Sequence, residues 1–187
     1  VGFMTNLARL LESKADALSP LDGKELARRK VPLYVMMAGC YEPAGDRDYN
    51  VVMDAESARR VFAEWPTPIV ASGFEIGREI LYPGVSIQED FAYVRDHPIA
   101  EAYRAYDKMP YDRPTWDLTA VLYAVRPDRG YFGLSPAGKI VQDAENYTRF
   151  TPMEGGIHRY LTVTPEQKIR VLEALTWAAS APPAGKR

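Results

Sequence analysis

Two places in this sequence combine side chains able to handle a sugar or a cation. Asp48-Tyr49-Asn50 sets a carboxylate and a carboxamide two positions apart. Such a pair supplies acceptors and donors suited to sugar hydroxyls, and the aromatic between them can stiffen the turn. The same residues also suit an ordinary polar loop that caps the next element. Trp116-Asp117 opens an apolar helical stretch. A carboxylate there can bind a hard cation such as Ca²⁺ with help from neighbouring carbonyls, or it stands there because negative charge favours a helix N-terminus. Other reactive residue types form no motif. His97 and His158 are isolated and are expected at the surface. Cys40 ends an apolar run with no histidine near it in sequence, so it does not read as a nucleophile. Gly73 and Gly77 lack the flanking glycines or lysine of a phosphate loop.

Bulk composition narrows the class. With 187 residues, 47% of them hydrophobic, the chain fits one α/β domain with a real core. Basic residues number 23 against 25 acidic ones, for a net charge of -2, and they are scattered, so no nucleic-acid footprint is expected. A single cysteine excludes an intramolecular disulfide and a cysteine-based zinc cluster. No apolar run approaches the roughly 20 residues of a membrane span, and no membrane partner is expected. Val1, Phe3 and Met4 are apolar where a native terminus is usually polar. The chain is therefore expected to be part of a longer one, and its compartment, cytoplasmic or secreted, stays open.

The elements that must position these residues follow from periodicity. Leu7, Leu10 and Leu11 form one face of a first helix that Thr5 can cap, and a short second helix is predicted from Asp22 to Arg29. Val31 to Gly39 is a continuous apolar run, the pattern of a strand buried on both faces. Asp54 caps a helix to Glu64 with a stripe of Ala58, Val61, Phe62 and Trp65, and Pro68 to Gly73 is a second buried strand. Tyr82 to Asp96 has no clear period and is predicted to be loop. Helices follow from Ile99 to Tyr106 and from Thr115 to Val125, the latter with Leu118, Val121, Leu122 and Val125 inward. Short antiparallel strands are predicted at 131–134, 139–142, 147–150 and 159–163. Thr164 and Gln167 form a capping box for a last helix that turns Ile169, Leu172 and Leu175 inward, and the tail from Ala181 is expected to fray. The fold class is α/β, an open and mostly parallel twisted sheet with flanking helices and small antiparallel strands near the C-terminus. Ligands in such sheets bind beyond the carboxyl ends of the strands, which directs attention to the loops after Gly39 and Gly73.

Taken in order, Gly2-Phe3-Met4-Thr5-Asn6-Leu7, Met36-Met37-Ala38-Gly39, Asp48-Tyr49-Asn50-Val51, Asp54-Ala55-Glu56-Ser57-Ala58, Pro68-Ile69-Val70 and Trp116-Asp117-Leu118-Thr119-Ala120-Val121 resemble the inosine-uridine preferring nucleoside hydrolase family. The resemblance runs from the first residue to about Val125 and loosens beyond it. It implies the C-terminal part of such an enzyme, without the aspartate-rich N-terminal segment. It further implies that the Thr5 backbone carbonyl and the Asp117 carboxylate are calcium ligands, that Asp48 and Asn50 hold ribose hydroxyls, and that the substrate is a nucleoside or another ribosyl compound. A homo-oligomer is compatible with it.

The implied reaction is hydrolysis of an N-glycosidic bond, in which calcium orients the ribose and an aspartate takes a proton from water. No catalytic residue of that kind is identified in this chain. Two departures stand out: Trp116 occupies a position where many family members carry histidine, and Asp48 replaces a glutamate. Tryptophan cannot act as a general acid at neutral pH, although it can stack on a nucleobase. Two other readings of the sequence are a non-catalytic nucleoside- or sugar-binding module and a scaffold domain. Calcium takes about six to eight oxygens, so the 187-residue chain is expected to release no ribose from nucleosides by itself. A reducing-sugar assay with inosine and uridine checks this, and robust cleavage would overturn it.

Overall fold

The computed structural model describes residues 2–43 and 45–183. Val1 and the last four residues of the expected frayed tail lie outside them. In chain order the elements begin with α1 (Thr5–Glu12), α2 (Gly23–Lys30), β1 (Tyr34–Met37), α3 (Tyr49–Val52), α4 (Ala55–Glu64) and β2 (Ile69–Ser72). Next come α5 (Phe74–Glu79), β3 (Leu81–Tyr82), α6 (Gly84–Glu89), α7 (Pro98–Tyr106), β4 (Arg113–Pro114) and α8 (Trp116–Val125). The strands β5 (Gly133–Leu134), β6 (Gly138–Gln142), β7 (Thr148–Pro152) and β8 (His158–Thr162) precede α9 (Pro165–Ser180).

One open sheet carries the order β1-β2-β8-β6-β7, with β5 paired to β8. β1 and β2 run parallel with Tyr34 opposite Ile69, and β2 runs parallel to β8 with Ile69 opposite His158. The C-terminal antiparallel strands thus extend the same sheet through the β6–β8 and β6–β7 pairs. β3 and β4 form a separate two-stranded antiparallel ribbon.

Alternation along the strands divides the core between the two faces of the sheet. Met36, Ala38, Ile69 and Ala71 pack with α1, α2 and α4. Val70, with Leu33 and Val35, packs with Leu122 and Tyr123 of α8 and Val171 and Leu175 of α9. A third cluster of Tyr82, Ile87, Phe91 and Ala100 lies under α6 and α7. Asp54 and Thr164 cap their helices as the sequence predicts, each accepting a backbone N–H from the first turn, and the Thr164–Gln167 capping box is complete; Asp22 and Asp48 cap α2 and α3 in the same way.

Several expectations need correction. Thr5 is the first residue of α1 and not its cap; Met4 holds that position, and the Thr5 hydroxyl is instead donated to the Asp54 carboxylate. The segment 82–96 holds β3's end and α6, elements too short to display a period. α5 likewise gave no periodic signal. On α8 the buried residues are Thr119, Ala120, Leu122 and Tyr123, whereas Val121 and Val125 are 52% and 67% exposed. A helix apolar nearly all round gives its sequence no way to choose a face. On α9, Val171, Ala174 and Leu175 face inward and Ile169 is exposed. His158, expected at the surface, is buried where β8 enters the sheet, and its Nδ1 accepts the Ile140 N–H at 3.0 Å. Burial, then the nearby Lys139, pushes its pKa down and favours the neutral ring. Among the described residues no helix is long and apolar enough to cross a membrane.

α8 is locked against the sheet by hydroxyls. Thr119 Oγ1 donates to the Trp116 carbonyl at 2.6 Å, so the buried 2.6 Å contact between Ser72 and Thr119 has Ser72 Oγ as donor. Thr119→Val keeps the shape and leaves Ser72 Oγ without its acceptor. The substitution is expected to cost about 1 to 3 kcal/mol, read from the midpoint of a urea unfolding curve at unchanged slope.

Candidate functional site

The carboxyl ends of β1 and β2 open onto a cleft. After β1 the chain turns at Gly39, whose φ of +83° lies in the left-handed region. A Cβ there would also stand 2.7 Å from Thr148 Oγ1 and 2.8 Å from the Tyr41 hydroxyl, so both space and dihedral call for glycine. The following loop is pinned at both of its first residues. Thr148 Oγ1 accepts the Cys40 N–H at 2.9 Å and donates to the Cys40 carbonyl at 3.2 Å. The Tyr41 N–H donates to the Glu75 carboxylate at 3.3 Å, and the Tyr41 ring stacks on Tyr160 at 4.6 Å. Burial pushes the pKa of Glu75 up, and it raises that of the Cys40 thiol as well.

That anchored loop delivers Asp48 and Asn50. Asp48 caps α3, accepting the Val51 N–H at 3.3 Å, and only 4% of it is exposed. Asn50 Nδ2 donates to the Met37 carbonyl at 3.2 Å, on the outer edge of β1. Its amide oxygen remains as an acceptor. From the opposite side α8 brings Trp116 and Asp117. The approach of α8 to α5 is so close that a Cβ on Gly77 would stand 2.3 Å from Trp116 N and Cα. Thr115 completes the junction, its N–H donated to the Gly77 carbonyl and its hydroxyl to the Ile80 carbonyl. Phe74 and Trp116 stack with ring centroids 5.6 Å apart.

The result is a cavity of about 350 Å³ lined by Met37, Asp48, Tyr49, Asn50, Phe74, Trp116 and Asp117. Trp116 and Asp117 also border an adjoining apolar cavity walled by Tyr82, Phe91, Tyr103 and Arg113. The structure therefore brings together Asp48, Asn50, Trp116 and Asp117. It does not bring in the side chain of Thr5, which lines a different groove between α1 and α4 beside Asp54 and Arg60. Sequence reasoning missed Phe74 and Met37 as walls, and Ser72, Thr115 and Thr119 as the residues that hold α8 in place. The only signal for the last three was their polarity within apolar runs.

Two polar groups at the cleft are marked by their burial. Trp116 Nε1 is buried with no acceptor, a condition that costs about 1 to 3 kcal/mol unless a partner supplies one. Burial pushes the pKa of Asp48 up to about 6, opposed by the N–H groups of Gly39, Val51 and Asn50 and reinforced by Asp117.

Among the described residues no group of three or more histidine, cysteine, aspartate or glutamate side chains is placed to hold a metal. Calcium takes about six to eight oxygens, and the cleft offers two carboxylates and one amide oxygen. These residues alone do not fit a calcium ion.

Comparison with solved structures agrees with this architecture. A plant nucleoside hydrolase superposes with a TM-score of 0.66 at 18% identity, covering 97% of this chain and 61% of its own. The fold is that of the nucleoside hydrolases. An inosine-guanosine nucleoside hydrolase gives 0.65 at 18% identity, with 94% and 58% covered. The inosine-uridine preferring nucleoside hydrolase from Bacillus anthracis gives 0.59 with the same identity and coverages. The chain thus spans about three-fifths of the length of these three nucleoside hydrolases, 58% to 61%. No family model matches the sequence, and no curated protein does.

The electrostatics of Asp48 are directly measurable. Its folded-state pKa of about 6 lies above the unfolded value of about 3.9. The protonated carboxyl therefore favours folding fully below about pH 4, and that contribution is lost as pH rises through about 6. Asp48→Asn keeps a capping side chain without the charge. The variant is expected to match the parent near pH 4 and to exceed it by about 1 to 3 kcal/mol at pH 8, in urea titrations at the two pH values; equal stability at pH 8 contradicts the assignment.

Proposed function

We propose that this chain forms the substrate-binding wall of an N-glycosyl hydrolase that converts a ribonucleoside and water to free base and ribose. The observation that carries the reading is the convergence of Asp48, Asn50, Trp116 and Asp117 on one cleft at the carboxyl ends of β1 and β2. The shared fold supports it.

Each residue has a role that its position allows. The Phe74–Trp116 stack presents an aromatic wall to a planar base. Asp117, exposed at the first turn of α8, and the amide oxygen of Asn50 accept hydrogen bonds from sugar hydroxyls. Asp48, at the cleft's floor, accepts a further hydroxyl. The aromatic residues of the adjoining cavity, Tyr82, Phe91 and Tyr103, extend the surface available to the base. A calcium ion at Asp117 would need most of its oxygens from outside the described residues.

A second reading, nucleoside or sugar binding without hydrolysis, is favoured by the same scarcity of carboxylates and by Trp116, which has no proton to give at neutral pH. Binding and turnover separate the two. Calorimetric titration with inosine and uridine is expected to show binding to the chain. Asp117→Ala is expected to weaken it about tenfold or more, and Trp116→Ala by about 1 to 3 kcal/mol with the smaller effect on any calcium affinity. Absence of binding by both nucleosides at millimolar concentration overturns the proposal.

A further inference from the structure

The helix α5 touches both walls of the cleft. Toward α8, Phe74 stacks on Trp116 and the Gly77 carbonyl accepts the Thr115 N–H at 3.1 Å. Toward the loop after β1 it makes three contacts in succession. The Phe74 N–H donates to the Gly39 carbonyl at 2.7 Å. The Glu75 carboxylate accepts the Tyr41 N–H, at 3.4 Å through one oxygen and 3.3 Å through the other. Arg78 donates to the Glu42 carboxylate at 3.0 Å. The aromatic wall and the loop that carries Asp48 and Asn50 are thus fastened to a single short helix.

The three fastenings differ in strength and in what can change them. The Phe74–Gly39 bond joins two backbone groups and does not titrate. The Arg78 and Glu42 side chains are 44% and 39% exposed, and an ion pair so open to water contributes little. Glu75 is the buried one, 8% exposed. Its carboxyl folds back over the end of β2, where it leaves no room for a Cβ on Gly73. Besides the Tyr41 N–H it receives its own backbone N–H and the Cys40 thiol, so its displacement would leave buried donors unpaired. Asp48 depends on the same stretch of backbone, because its carboxylate accepts the Gly39 N–H as well as those of Val51 and Asn50.

From these contacts we infer that Glu75 is a positioning residue of the cleft: it meets no ligand, and its ionised carboxylate, by holding Tyr41, fixes where Asp48 and Asn50 receive the sugar. The inference rests on the nucleoside-binding reading above and adds a control of that site. Glu75 lies outside the lining of the cleft. Ionised, both of its oxygens accept; protonated, one becomes a hydroxyl, and the Tyr41 N–H keeps a weaker acceptor. The ionisable groups around it are Cys40, Tyr41 and Glu42 from the loop and Arg78 from its own helix, with Asp48 and Tyr160 of β8 beyond Tyr41. Burial pushes the Glu75 pKa up, its three donors oppose the rise and Glu42 reinforces it. The hold on Tyr41 therefore loosens as pH falls from neutral toward the ordinary carboxylate range and tightens as pH rises.

The test is calorimetric titration of the chain and of Glu75→Gln with inosine at about pH 4.5 and about pH 8. At the higher pH the variant is expected to bind about fivefold more weakly or worse. At the lower pH, where the parent's own carboxyl is largely neutral, the two are expected to agree within about twofold. Asp48 titrates in both proteins and cancels from the ratio. A loss by the same factor at both pH values, as a merely structural role would give, or equal affinity throughout, overturns the positioning role and leaves nucleoside binding standing. The Tyr41 amide proton resonance gives a reading without ligand. It is expected to move between the two pH values in the parent and to stay in place in Glu75→Gln. A Tyr41 resonance indifferent to pH in the parent overturns the inference whether or not the variant folds. If the parent binds no inosine, both readings fall together.

Discussion

The cleft exists because α8 is held across the ends of β1 and β2, and a pair of buried hydroxyls holds it there. Ser72 donates to Thr119, and Thr119 donates to the carbonyl of Trp116. Inside a protein such bonds are enforced by the cost of leaving either group unpaired. They therefore set the depth and rotation of the helix more sharply than apolar packing could, because α8 is apolar on nearly every side. The glycine contact at the α5–α8 crossing then allows the backbones to approach, and Trp116 and Asp117 follow as the first residues of a helix whose direction is already determined.

The opposite wall depends on a different device. Its loop has no regular structure from Cys40 to Asp48 among the described residues, so its backbone groups must find partners elsewhere. Thr148 comes from the antiparallel end of the sheet and Glu75 from the first turn of α5. Elements distant in sequence thus converge to hold one loop, and the loop presents a carboxylate in a place where burial disfavours its charge. The pKa perturbation of a carboxylate lining a cleft marks Asp48 as a candidate functional group.

Much of the scaffold was legible beforehand, and for plain reasons. Val31 to Gly39 and Pro68 to Gly73 are short apolar runs bounded by proline and glycine, and they contain β1 and β2. Asp54 and Thr164 act as caps because their short polar side chains reach the free N–H groups of the next turn. The pairing of Asp48 with Asn50, and the carboxylate after Trp116, were visible as residue types. The short elements α5, β3 and α6 were not, since six residues or fewer show no period. His158 was misplaced because its burial comes from β2 and β6 on either side of it, which local sequence does not announce.

The amino-acid order by itself determined the strands, the caps and the chemical types at the cleft, because periodicity and capping are local properties of a few adjacent residues. Tertiary structure alone decided which of those residues meet. Thr5 went to Asp54 and a separate groove, Phe74 and Met37 entered the cleft unannounced, and α8 turned Thr119 inward and Val121 outward. Those outcomes depend on pairings across tens of residues, where the unpaired hydroxyl, the close backbone crossing and the strand register choose among arrangements that local pattern leaves equal.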